Sequence, residues 1–132
     1  MGSFADFWEQ EILDHVFNKG AYTAPTIYVG LSTADPGDDE AGLAEPSGNG
    51  YARVTTAAGD WNAATAAGLI DNLNALTFPE ASGSWGTVTH FALFDAATLG
   101  NMLAHGTLGT PQAIVSGNTP SFAAGELDVS LD

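Results

Sequence analysis

Apolar positions recur mostly at every second residue, the period of a strand with one face turned inward. The densest run is Val88 to Phe94. Turn formers bound it, Ser82-Gly83-Ser84 before and Gly100-Asn101 after, as expected of a buried strand. Met102 to Leu108 follows at hairpin distance, so the two runs read as the central hairpin. A four-residue loop over Ala96 to Leu99 pairs Asp95 with Gly100 and sets His90 opposite His105. A slip of one residue in that register turns every side chain to the other face.

Further strands follow the same logic. Thr26 to Ser32 alternates cleanly, with Ile27, Val29 and Leu31 on one face and Tyr28, Gly30 and Ser32 on the other; it reads as half-buried. Tyr51 to Thr56 and Leu69 to Phe78 continue the pattern. Pro79 ends the second of these, and Asp71-Asn72-Leu73-Asn74 leaves room for a bulge. Gln112 to Val115 is a short strand. Glu126 to Leu131 is the last, with Leu127, Val129 and Leu131 inward.

The period changes only at the start of the chain. Phe4, Trp8, Ile12 and Val16 recur every four residues over Ser3 to Asn18, and Leu13 and Phe17 widen the stripe. Ser3 with Asp6 resembles a capping box, and Asn18-Lys19-Gly20 is a stop signal. This helix packs on its own sheet or offers an aromatic face, Phe4, Phe7 and Trp8, to a neighbouring subunit. The expected fold is mainly β: an antiparallel sandwich, jelly-roll or immunoglobulin-like, of seven to eight short strands with one N-terminal helix. Residues 1–20 hold the helix. Residues 21–132 form one sandwich domain with an acidic loop over 33–50.

Charge alters the picture most. Sixteen acids face only Lys19 and Arg53, for a net charge of −14. Such a chain cannot neutralise phosphates, so nucleic acid and anionic membranes are not expected partners. Asp35, Asp38, Asp39 and Glu40 cluster in the long loop, and hard oxygen ligands suit calcium, although the spacing is not that of an EF-hand. A solvated loop making partner contacts is the plainer expectation, and no cofactor is expected. Arg53, the one arginine, either pairs with a carboxylate or reaches a partner's backbone.

Little else points to chemistry. The chain has no cysteine, which removes disulfides and thiolate chemistry. No serine lies in a Gly-x-Ser-x-Gly elbow, and no glycine cluster matches a phosphate cradle. Sixteen acids supply so many carboxylate pairs that none stands out as a glycosidase couple. No apolar run approaches the roughly 20 residues of a membrane span, and no signal peptide is apparent. His90 and His105, if they face each other, can ligate a metal, but no third ligand stands at fixed spacing. Trp61, Trp85 and the loop around Asn49 are the aromatic and amide groups from which a glycan site would be built. The chain is read as non-enzymatic.

Several stretches carry a resemblance when taken together. They are Ile12-Leu13-Asp14-His15-Val16-Phe17 with Tyr22-Thr23-Ala24-Pro25, then Ile27 to Pro36, Gly50-Tyr51-Ala52-Arg53, Trp85 to Gly106, and Ser121-Phe122-Ala123-Ala124-Gly125. In this combination the chain resembles a family of small tailed-bacteriophage virion proteins often labelled phage tail fibre protein. The resemblance implies a structural virion component and carries over no active residue. The favoured assignment is a capsid-exterior decoration, or cement, protein. It would bridge capsomers as a symmetric oligomer, a trimer, against the major capsid protein or other virion proteins. The alternative is a tail-fibre or tail-tip module for host attachment. Phe4, Phe7, Trp8, Arg53 and Trp61 are the candidate contacts.

Overall fold

The computed structural model describes residues 2–131. Its elements run β1 (Gly2–Phe4), α1 (Asp6–Val16), β2 (Tyr28–Ser32), β3 (Val54–Thr55), β4 (Leu69–Asp71), β5 (Leu76–Thr77), β6 (Gly86–Phe94), β7 (Met102–Ile114), β8 (Ser121–Phe122) and β9 (Asp128–Ser130), with a 3-10 turn at Ala58–Asp60. Seven strands form one sheet in the order β3-β2-β6-β7-β1-β9-β4, and β5 and β8 form a second, small sheet. The small sheet lies over one face of the large one and closes a sandwich-like core. The mainly β class with a single helix is the one the alternation implied.

The central hairpin forms, but with a different register. Phe94 faces Met102 and Leu93 faces Ala104, so Leu103 is bulged; His90 then lies opposite Thr107, and His105 opposite Ala92. The turn takes one residue more than expected because the Asp95 carboxylate accepts the Asn101 backbone N–H at 2.7 Å and its side-chain amide at 2.9 Å. The bulge adds the second residue. A shift of two leaves both histidines on the same face, as diagonal neighbours. Further along, residues 108–111 of β7 swell out against Thr89, and the strand resumes with Gln112 opposite Val88. The expected short strand at Gln112 to Val115 is therefore the far end of β7.

The start of the chain departs most from expectation. Ser3 caps no helix; it lies in β1 opposite His105, and Ala5 holds the N-cap position without a side-chain bond. β1 enters the middle of the sheet, antiparallel to β7 and parallel to β9, so the sandwich is not wholly antiparallel. A Cβ on Gly2 would stand 2.6 Å from Phe91 Cζ and 2.8 Å from the His105 carbonyl, so only glycine admits this approach. The strand slot overrides the local capping signal.

Two further readings change. Leu69 to Phe78 splits into β4 and β5, which belong to different sheets. The fully buried Asn72 lies at the break. Its amide donates to the Asn74 and Ala123 carbonyls, both at 2.9 Å, and its oxygen accepts the Leu127 N–H at 2.9 Å. Around β9, Leu127 and Val129 are buried as expected, but Leu131 is 58% exposed because the strand has ended.

The core lies on one face of the large sheet. Val29, Leu31, Phe91, Leu93, Leu127 and Val129 meet Leu76, Phe78, Trp85 and Phe122 from the covering side. Each such side chain contributes about 1.5–3 kcal/mol by leaving water. Phe4, Phe7 and Trp8 pack at the edge of the same core.

Candidate functional site

Over β2 and β6 the opposite face of the sheet is covered too, by the acidic loop. The strand read as half-buried, β2, is therefore buried on both sides: Gly30 and Ser32 are as inaccessible as Val29 and Leu31. The loop strap is anchored at three points. Leu43 packs against a second apolar cluster of Ala5, Ala92, Phe94 and Met102. The Ser32 hydroxyl donates to Ala34 O at 2.7 Å and accepts the Ala34 and Ala44 N–H groups at 3.3 and 3.0 Å. The third anchor is Arg53.

Arg53 grips Glu45 in both directions of its fork, Nε to Oε2 at 2.7 Å and Nη2 to Oε1 at 3.0 Å. Its remaining Nη1 donates to Ala96 O and Leu99 O, at 2.8 and 2.9 Å, in the turn of the central hairpin. The guanidinium lies 3.4 Å over the Phe94 ring. A bidentate, ring-stacked pair with a side chain 4% exposed fixes the strap to the hairpin. Of the two roles open to the lone arginine, the structure shows the carboxylate pair, and the backbone it reaches is its own. Tyr51 completes the group: it donates to Glu45 Oε2 at 2.8 Å and accepts the Leu31 N–H at 3.0 Å. Burial pushes its hydroxyl far above the ordinary tyrosine value; the Leu31 bond opposes this and the Glu45 carboxylate adds to it. A side chain on Gly30 would intrude here, its Cβ 2.7 Å from Glu45 Oε2 and 2.9 Å from Phe94 Cε2.

The four loop acids do not gather on one point. Asp39 Oδ1 accepts the Ala41 N–H at 3.0 Å and closes a local turn, and Glu40 takes a left-handed turn conformation at φ 67°. Asp35 Oδ1 likewise accepts the Gly37 N–H at 3.0 Å, but Asp35 and Asp38 also approach the histidines of the sheet. Asp38 Oδ1 lies 2.8 Å from His105 Nε2, and Asp35 Oδ1 is 3.9 Å from both His105 Nδ1 and His90 Nε2. His90 Nδ1 lies 2.8 Å from Thr89 Oγ1. Among the described residues no group of three or more such side chains could hold a metal ion. Asp95, the other acid near the histidines in sequence, is taken up by the hairpin turn.

The aromatic candidates are placed separately. Phe4 and Trp8 stack obliquely with centroids 4.4 Å apart and, with Phe7, face inward. Trp61 is half-buried, donates to Thr56 Oγ1 at 3.0 Å, and shares with Trp8 a groove of about 570 Å³. Trp85 is buried edge-on against Tyr51 at 5.2 Å, with its N–H on Asn49 O at 2.9 Å, so it is part of the core. The apolar surface left open on the helix side is Leu13, Val16 and Phe17, 58–68% exposed. No helix among the described residues is long and apolar enough to cross a membrane.

The strap was hard to foresee from charge alone. One signal in β2 does point to it: the residues opposite Val29 and Leu31 are the small Gly30 and Ser32, which leave room for something to close over them.

Comparison with known proteins gives one family. Residues 3–130 match the model of the family described as podophage GP4 fiber I protein gp80. No curated protein matches the chain. With nearly its whole length matched, the chain belongs to that family. It is a phage fibre-type structural protein and a component of the virion.

Proposed function

We propose that this fibre-family protein serves as a non-catalytic globular module of the tail-fibre apparatus, assembled with other virion proteins and with copies of itself. The observation that carries the reading is the family match, which spans both the sheet and the strap and whose description names a fibre. The strap's arrangement supports it. Its anchoring groups hold one another, as a scaffold requires, and bind the loop to the hairpin from Ser32 to Leu99. The exposed Leu13, Val16 and Phe17 at the end of α1 are the proposed contact with a neighbouring fibre subunit.

Location and copy number in intact virions test this. Cryo-EM, with quantitative mass spectrometry against the major capsid protein, is expected to show few copies, placed at the tail. Hundreds of copies over the shell would replace the fibre reading with capsid decoration, in which the same module cements capsomers.

A further inference from the structure

We propose that Asn49 is a site of spontaneous deamidation which the fold keeps closed, and that its conversion to aspartate or isoaspartate undoes a clamp between residues 48–51 and the segment leading into β6. Asn49-Gly50 is the one Asn-Gly pair in the chain. Glycine has no side chain to shield its amide nitrogen or restrict its backbone. Of the asparagines, Asn49 is therefore the one whose side-chain carbonyl is most open to attack by the following nitrogen.

The local fold explains why so labile a pair stands here. The Tyr51 N–H donates to Gly48 O at 3.0 Å, and Asn49 and Gly50 both take positive φ, 52° and 80°. This is a type I′ turn, whose two central positions favour Asn-Gly. A Cβ on Gly50 would stand 2.9 Å from Glu80 O, so the glycine is required. The turn is then tied to residues 82–85 through Asn49. Its Nδ2 donates to Ser84 O at 3.0 Å. Its main-chain carbonyl accepts the Ser82 N–H and the Trp85 indole N–H, both at 2.9 Å. The side chain also lies tight against Gly83, where a Cβ would come within 2.7 Å of Asn49 Cγ.

The reaction needs that side chain free. The Gly50 nitrogen gives its proton to solvent base and bonds to Asn49 Cγ; the Cγ–Nδ2 bond breaks and ammonia leaves. Water then opens the succinimide ring. Cleavage between the nitrogen and Cγ gives aspartate, and cleavage between the nitrogen and the main-chain carbonyl carbon gives isoaspartate. The tether on Ser84 O and the contact with Gly83 hold Cγ in place, so the reaction proceeds from a locally opened form.

Either product opposes reclosure. Aspartate sets an acceptor opposite Ser84 O in place of a donor and adds a negative charge to a chain already at −14. Isoaspartate routes the main chain through the side-chain carbon and removes from it the carbonyl that holds Trp85. Trp85 is 4% exposed and packs edge-on against Tyr51, so the loss of its acceptor falls on the core. A virion component is not replaced after assembly, so the change accumulates with the age of the particle.

The test is incubation of the purified protein in mildly alkaline buffer, with and without urea. Peptide mass spectrometry with isoaspartate detection follows Asn49, and Asn101 and Asn118 serve as internal references. In urea Asn49 is expected to react ahead of both; in buffer it should react more than about tenfold more slowly than in urea. Gly83→Ala should push the side chain off Ser84 and raise the rate in buffer several-fold, with circular dichroism confirming the fold. Asn49→Asp, which is one of the two products, should lower the melting temperature and shift tryptophan emission to the red. Equal rates in buffer and urea overturn the proposal, and so does an Asn49 that stays intact in urea. A rate in buffer that folded Gly83→Ala leaves unchanged overturns it too, as does an Asn49→Asp variant with unaltered melting temperature and emission. If Gly83→Ala does not fold, the comparison of buffer with urea and the Asn49→Asp variant decide.

Discussion

Around β2 and β6 the two faces of the large sheet are both covered, but by different means. On one, carbon packs on carbon: Leu31, Phe91 and Leu93 under Leu76, Phe78 and Phe122. On the other, a loop is held by directed bonds from Ser32, Tyr51 and Arg53, with only a small apolar cluster beneath. The first kind of closure depends on volume and is indifferent to exact chemistry. The second depends on the geometry of particular atoms, and losing one partner leaves another buried and unsatisfied.

The largest effects should come from one large side chain on each face. Leu93→Ala is expected to cost about 2–5 kcal/mol and Arg53→Ala about 3–5 kcal/mol, measured by urea denaturation. Their conservative partners separate the faces. Leu93→Met should cost less than about 1.5 kcal/mol. Arg53→Lys should recover little, because an ammonium cannot span both Glu45 oxygens and two turn carbonyls. Equal tolerance of the two conservative changes would erase the distinction between the faces.

Adding an atom probes the same difference more finely. Gly30→Ala puts a methyl group among Glu45, Phe94 and Tyr51 and should cost about 1–3 kcal/mol. Its melting temperature should fall, while Arg53→Ala and Gly30→Ala together should fall by less than the sum, since Glu45, no longer held by Arg53, can move off the added methyl group.

A smaller contrast appears at high pH. Burial raises the folded pKa of the Tyr51 hydroxyl above the ordinary tyrosine value of about 10. Its neutral form is favoured in the fold, so its contribution is fully present below about pH 10 and is lost as pH rises above that value. Alkaline unfolding followed by circular dichroism should show this loss, and Tyr51→Phe should flatten it while lowering stability at neutral pH. Core variants such as Leu93→Met should leave the alkaline limb unchanged.

What could be read from the sequence divides along the same line. The apolar face was legible: the alternation at Ile27, Val29 and Leu31 and the run Val88 to Phe94 place the core strands directly. The polar face was legible only in fragments. The acids of the loop were visible, but which of them turns to a histidine depends on a register that the Asp95–Asn101 turn and the Leu103 bulge set together. The Ser3 capping signal misled because it is local, whereas the slot that claims Gly2 to Phe4 is built by strands from much later in the chain. Asn72 read as a bulge position and is a buried three-bond anchor, since a lone amide shows nothing of its partners.

That slot has a kinetic consequence. β1 is flanked by β7 and β9, so an early segment cannot settle until residues 128–130 have been synthesised. The hairpin of β6 and β7 is local and can form first, with β2 adding to its free side. The seam closed by β1 joins the most distant parts of the sequence and bears the largest loop-closure entropy, so its zipping should limit the folding rate. On the ribosome, β1 emerges well before the strands it must pair with and is among the last to find its place.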